Sequence, residues 1–285
     1  MAYEWLVEAL RETWAETDRT ISPLTEAQFL APTPCPGWSV RDVVSHLVGF
    51  ELMLLGEPLP TSPVERPSYV RNDIGALNEA FVQDRRNQSA HDSVEEFRQV
   101  TQRALERLVA LEDDEWERIG WSPEGEAPYH RFMETRLLDS WIHLQDIRDG
   151  LAMPSDDHGV GEEVVLNRFE AALPYVIGKR AQAPEGSRIR VNITGRLART
   201  TDIVVRDGRI AEIRDGYVGV EVPVLGDRIA HREAVGPAGG EVVGAECRGL
   251  MHQARAVIGG DIVGEDHDVC IGDLDIVKRP RVPNP

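Results

Sequence analysis

Hydrophobic residues recur with helical spacing over the first 180 residues of the chain. Leu6, Leu10 and Trp14 lie on one face of the segment 3–20. Further segments with this periodicity follow at 39–55, 69–85, 93–112, 129–150 and 160–178. Four or more antiparallel helices that each carry one apolar stripe predict a helical bundle.

The periodicity changes after residue 185. Residues 188–193 alternate between polar and apolar side chains, and Asp207-Gly208 separates two further strand-like segments, which is typical of a β-hairpin. A single helix is predicted at 245–256. The fold class is therefore α plus α+β, with a helical bundle at 1–182 and a small α+β domain at 186–280.

Composition and charge exclude several classes of partner. The chain has 285 residues and a net charge of −18, which argues against binding to nucleic acid or to anionic membranes. We find no signal peptide and no apolar segment long enough to span a bilayer. The three cysteines lack the spacing of a metal knuckle and fit a reducing compartment, so we expect a cytoplasmic protein.

The stretch PCPGWSVRDVVSH predicts a firmly held helix entry. Ser39 and Asp42 have the spacing of a capping box, and Trp38 can pack on Val43. His46 falls at the edge of the apolar stripe of this helix, beside Phe50, and so points inward or to the rim of the interior. A well-capped core helix with one satisfied core histidine is the plainer interpretation.

A second segment offers partners for His46. Asp139 and His143 are four residues apart on one helix face, and Asp146 lies close to both on the same face. Together with His46 they would supply two imidazoles and one carboxylate, the open ligand set of a catalytic metal site. Zn²⁺ is the first choice, with Ni²⁺, Fe²⁺ or Mn²⁺ as alternatives.

Asp146 has two roles open to it in such a site. It could accept a hydrogen bond from a ligating imidazole, or it could act as a general base. A surface Asp–His pair with no metal is the competing interpretation of the whole segment. Glu134 is a rival carboxylate, but its spacing of nine from His143 places it on the other side of the helix.

Three stretches resemble the mycothiol-dependent maleylpyruvate isomerase family, whose members are DinB-like, metal-binding four-helix bundles. They are PCPGWSVRDVVSHLVGFE, RNDIGALNEAFV and LLDSWIHLQDIRDGLAMP, within about the first 150 residues. The resemblance implies a divalent metal bound by a histidine on the second helix and by a carboxylate and a histidine four apart on a later helix. Those positions match His46, Asp139 and His143. It also implies mycothiol as the thiol cosubstrate.

The resemblance further implies a C-terminal domain of sterol-carrier-like shape. In this chain Leu250 to Arg255 aligns with a stretch in which some members carry an arginine that reaches the active site. Arg255 is then the candidate for a catalytic and cofactor-binding role, because a guanidinium can hold a carboxylate of the substrate or of the thiol.

The expected chemistry is activation of a thiol by the metal. A thiolate could add to a small electrophile, and the outcome would be cis–trans isomerisation or transfer of the thiol. One alternative is a hydrolase or lyase that uses metal-bound water. Another is a non-catalytic module that binds a small molecule. The sequence leaves open whether the chain is a monomer or a homodimer.

Overall fold

The computed structural model describes residues 2–61, 66–122, 125–155, 159–175, 188–193, 196–206, 209–214 and 220–222. The described residues up to Leu166 belong to one compact unit, and those from Asn167 onward belong to a second. The domain boundary predicted at 182–186 lies outside the described residues and stays a prediction.

The first unit is almost entirely helical, as the sequence predicts. None of the described helices is long and apolar enough to cross a membrane. The helices are α1 (Glu4–Ile21), α2 (Glu26–Phe29), α3 (Val40–Leu54), α4 (Asp73–Arg85), α5 (Ala90–Val109), α6 (Asp113–Trp116), α7 (Tyr129–Gly150) and α8 (Gly159–Tyr175).

Helices α1, α3, α5 and α7 form the bundle. Helix α1 packs against α5 and α7, and α3 packs against the same two helices, so that the four close around one core. The apolar stripe predicted for α1 lies in this core, where Leu6, Leu10 and Trp14 are buried. Burial of these apolar faces is the main source of stability for helices of this length.

Helix α4 packs on the outside of α3 at a very close approach. A Cβ atom added to Gly49 would lie 2.2 Å from Phe81, which leaves room only for glycine at this position. The approach brings α4 near the entry of α3, where its side chains support the candidate site described below.

Helix caps explain two differences from the predicted boundaries. The predicted start at residue 69 is wrong, because Asn72 caps α4 by accepting a hydrogen bond from the Gly75 amide. The predicted start at residue 93 is also wrong, because Ser89 caps α5 through the Asp92 amide. Both capping residues lie in polar stretches where hydrophobic periodicity gives no signal.

Three short elements of the first unit were not predicted. Helices α2 and α6 have four residues each, too few to show a period. A two-stranded antiparallel hairpin, β1 (Ile119–Ser122) and β2 (Gly125–Pro128), precedes α7.

The described part of the second unit holds the end of α8 and a four-stranded sheet. The strands are β3 (Arg188–Ile193), β4 (Arg199–Arg206), β5 (Arg209–Arg214) and β6 (Val220–Val222), in the order β5-β4-β3-β6. The predicted strand at 188–193 is confirmed, and the strands on either side of Asp207-Gly208 pair antiparallel as a hairpin requires, while these two turn residues lie outside the described ranges. The predicted helix at 245–256 and the sterol-carrier-like shape rest on residues outside the described ranges.

Candidate metal centre

The turn before α3 is held by hydrogen bonds at both ends. Ser39 and Asp42 form the predicted capping box, in which each side chain binds the backbone amide of the other. Before it, the Thr33 amide donates to the Trp38 carbonyl at 3.0 Å, and the Trp38 amide donates to the Cys35 carbonyl at 3.0 Å. Helix α3 therefore begins from a fixed turn, and His46 lies two turns further along.

The predicted ligands converge inside the bundle. His46 Nε2 lies 3.2 Å from Asp139 Oδ2, and His143 Nε2 lies 3.6 Å from Asp139 Oδ1. The centroids of the two imidazole rings are 4.8 Å apart. Ligand atoms at 2.0–2.1 Å from a tetrahedral ion are separated by about 3.3 Å, so that the three residues have the spacing of a divalent metal site.

A buried ion pair fixes the Asp139 carboxylate. Arg136, one turn earlier on α7, donates to Asp139 Oδ2 at 2.6 Å and to Glu51 Oε1 through Nε and Nη2 at 3.0 and 2.8 Å. Its guanidinium carbon also lies 4.2 Å from the centre of the Phe50 ring. Glu51 thus balances the charge of Arg136, and the guanidinium orients Asp139 toward the histidines.

The surroundings of these three residues shift their pKa values in different directions. Burial lowers the pKa of His46, so this imidazole is neutral and able to ligate at neutral pH. Burial opposes ionisation of Asp139, but Arg136 and the two imidazoles hold the pKa of this carboxyl below its usual range. Burial also opposes the charged form of His143, but Asp139, Asp146 and Cys35 raise the pKa of this imidazole to about 10.

Asp146 supports the other nitrogen of the His143 ring. Its Oδ2 atom lies 2.9 Å from His143 Nδ1, and the Cys35 thiol donates to the same oxygen at 3.3 Å. A carboxylate in this place fixes the orientation of a ligating imidazole and leaves Nε2 free to bind an ion. The contact is the one expected of Asp146 as an acceptor for a ligating imidazole.

Trp38 covers the two histidines, and the buried carboxylate of Glu79 holds it there. Its ring centroid lies 5.4 Å from that of His46 and 6.3 Å from that of His143. The indole N–H donates to Glu79 on α4 at 3.1 Å. Glu79 also accepts from three further side chains: Tyr69, Gln83 and Arg86.

Comparison with known proteins finds one family model that matches most of the first unit. Residues 10–148 match the family model of the mycothiol maleylpyruvate isomerase N-terminal domain. This part of the chain is similar to that domain. The matched residues include His46, Asp139, His143 and Asp146, so all four lie in the part of the chain that resembles that domain. No curated protein matches the chain in sequence.

Two solved structures share the fold of the chain. A mycothiol-dependent maleylpyruvate isomerase aligns with a TM-score of 0.54 and 17% identity, over 98% of this chain and 97% of that protein. A mutant of a mycothiol-dependent maleylpyruvate isomerase, with alanine in place of a histidine, aligns with a TM-score of 0.52 at the same identity and coverage. At this level of identity the likeness establishes a shared fold.

The structure describes one of the two other candidate residues, Glu134, but not Arg255. Glu134, the rival carboxylate, faces Arg131 at 2.6 Å and His130 at 3.6 Å. Arg255 lies outside the described residues, so its catalytic and cofactor-binding role stays a prediction.

Sequence reasoning missed Cys35, Glu51, Glu79 and Arg136. Arg136 could have been found, since it precedes Asp139 by three residues on one helix face. Cys35, before α3, and Glu51, within α3, contact residues of α7 that are far away along the chain, and Glu79 lies on α4, so these three give no local signal.

Proposed function

We propose that the chain is a divalent-metal- and mycothiol-dependent enzyme that acts on a small electrophile. The reaction is a cis–trans isomerisation of the maleylpyruvate type or a transfer of the thiol. The observation that carries the proposal is the convergence of His46, Asp139 and His143 within the part of the chain that resembles the mycothiol maleylpyruvate isomerase N-terminal domain. A divalent ion bound by these residues would lower the pKa of a thiol and so supply a thiolate at neutral pH.

The chain's own residues would prepare the site in three ways. His46 offers a neutral nitrogen, because burial lowers its pKa. Arg136 holds the Asp139 carboxylate in place, and Glu51 balances the charge of the guanidinium by accepting from its Nε and Nη2 atoms. Asp146 accepts from His143 Nδ1 and so directs Nε2 toward the ion.

The set of two imidazoles and one carboxylate favours a divalent metal ion of intermediate softness. Two imidazoles and one carboxylate suit Zn²⁺, and they also suit Ni²⁺, Fe²⁺ or Mn²⁺. Arg255 is the proposed anchor for a carboxylate of the substrate or of mycothiol. The partners are then a small electrophile and a low-molecular-weight thiol rather than nucleic acid or membrane, and the protein would act in the cytoplasm as a monomer or homodimer.

A turnover assay with matched omissions tests this proposal. The zinc-loaded chain is mixed with mycothiol and a maleylpyruvate-type substrate, and the reaction is repeated without thiol, with a chelator and with His46→Ala. We expect turnover that requires both thiol and metal and is lost in the variant. Turnover without thiol would indicate a hydrolase or lyase instead. Absence of turnover over a panel of electrophiles would indicate a binding module.

A further inference from the structure

A second set of ligand atoms surrounds the other nitrogen of the His143 ring. Cys35 Sγ lies 3.9 Å from His143 Nδ1 and 3.3 Å from Asp146 Oδ2, and Nδ1 and Oδ2 are 2.9 Å apart. The three atoms offer a thiol, an imidazole and a carboxylate. None of them takes part in the set formed by His46, Asp139 and His143 Nε2.

The separations suit a small cation. In a tetrahedral site with Zn–S near 2.3 Å and Zn–N or Zn–O near 2.0–2.1 Å, ligand atoms lie about 3.3–3.6 Å apart. The observed separations of 2.9, 3.3 and 3.9 Å lie on both sides of that range. Small side-chain shifts would place all three atoms at bonding distance from one ion.

The turn before α3 fixes the thiol in this place. The Cys35 amide donates to Thr33 Oγ1 at 3.2 Å, and the Cys35 carbonyl accepts from the Trp38 amide. Cys35 is only partly buried, so a cation can reach it from solvent. The ligand is therefore preorganised by the same backbone that begins α3.

We propose that Cys35, His143 and Asp146 form a second cation site, which takes a thiophilic divalent ion such as Zn²⁺. Thiolate and imidazole ligands favour zinc or cobalt over magnesium, calcium or manganese. Three protein ligands leave a fourth position for water or for an incoming thiol. On binding, the thiol proton and the Nδ1 proton pass to solvent. The inference concerns the ligand set alone and does not depend on the reaction proposed above.

Cobalt spectroscopy tests the site directly. The full-length protein is stripped with a chelator and titrated with Co²⁺, and the near-ultraviolet sulfur-to-cobalt charge-transfer band is recorded. We expect the band in the wild type and its complete loss in Cys35→Ser. The matched controls Cys247→Ser and Cys270→Ser should keep it. Cobalt that binds without this band, or a band that survives Cys35→Ser, would overturn the proposal.

Two further measurements remove the remaining ambiguities. His46→Ala disrupts the first ligand set and should keep the charge-transfer band, so failure of the proposed function and failure of the second site can be told apart. If Cys35→Ser does not fold, X-ray absorption of the cobalt-loaded wild type replaces it. A sulfur neighbour of the cobalt supports the site, and a shell of nitrogen and oxygen alone contradicts it.

Discussion

The two helices that carry the candidate histidines hold them in different ways. On α3, packing places His46 beneath Trp38, and its Nδ1 atom is buried without a hydrogen-bond partner among the described residues. On α7, charged groups hold His143, with Asp139 near one ring nitrogen and Asp146 near the other. His46 thus has a carboxylate, Asp139, at one ring nitrogen only, whereas His143 has a carboxylate at each of its two ring nitrogens.

Because of this difference, mutations near the two helices should affect different properties of the protein. Changes around α7 alter charges that would face the metal directly, and they should act on metal affinity. Changes around the entry of α3 alter the support of a neutral ring, and they should act first on the stability of the fold.

The largest effect is expected from Asp139→Asn. The variant keeps the shape of the side chain but removes the carboxylate that lies between both histidines and Arg136. We expect the Kd for Zn²⁺ to rise by at least about 100-fold, since even residues that only support ligands contribute 10–100-fold. Competition with a chromogenic chelator measures the change. Glu134→Gln, on the same helix, is the control and should leave the Kd unchanged, whereas equal losses in the two variants would contradict the assignment of Asp139.

A smaller effect is expected from Asp146→Asn. The amide can present its NH₂ or its oxygen to His143 Nδ1, but it no longer carries the charge that orients the ring. We expect metal affinity to fall about 10–100-fold. The same competition assay measures it. An unchanged affinity would mean that His143 needs no support from a carboxylate, and the contrast between the two helices would then disappear.

Mutation near the start of α3 should lower the free energy of unfolding. Glu79→Gln removes the buried charge that accepts from Trp38, Tyr69 and Arg86. Because Arg86 is partly exposed and can turn to solvent, we expect the free energy of unfolding to fall by about 1–3 kcal/mol. Urea denaturation of the metal-free protein measures the loss. The matched control is Glu95→Gln, an exposed residue of α5, and a loss of the same size there would show that the Glu79 contacts have no special role.

The smallest expected effect is the release of a proton when an ion binds to His46, Asp139 and His143. His143 has a pKa raised to about 10 in the metal-free protein, so it is protonated at pH 8, whereas His46 is neutral and Asp139 is already ionised. Zinc binding at His143 Nε2 should therefore release about one proton at pH 8, and affinity should rise with pH until the pKa is passed. Calorimetry in buffers of different ionisation enthalpy measures this release. Binding heat that does not depend on the buffer would contradict it.

The sequence predicts those residues of the site that lie close to one another along the chain. Asp139 and His143 are one helical turn apart, and the capping box before α3 is readable from Ser39 and Asp42 alone. His46 required a further assumption, that its helix packs beside α7, and the resemblance to a known family agrees with that assumption. The bundle itself follows from the long apolar stripes, whose type is the most reliable feature of a sequence pattern.

The residues that the sequence did not reveal act across long separations in the chain. Cys35 lies 111 positions from Asp146, and Trp38 lies 41 positions from Glu79. Contacts of this kind depend on how helices pack, and neither hydrophobic periodicity nor a helix-capping pattern predicts them. The cysteine spacing was interpreted along the chain, so that a thiol brought to His143 by a turn could not be recognised.

The most direct measurement of the central claim is elemental analysis of protein purified without chelator and then titrated with Zn²⁺. His143 belongs to both ligand sets, so His143→Ala should remove the bound transition metal. His91→Ala, an exposed histidine of α5, should retain the wild-type content. The account predicts at least about one divalent ion per chain in the wild type and in the control. A wild type that takes up no metal, or a His143→Ala variant that keeps it, would contradict the account.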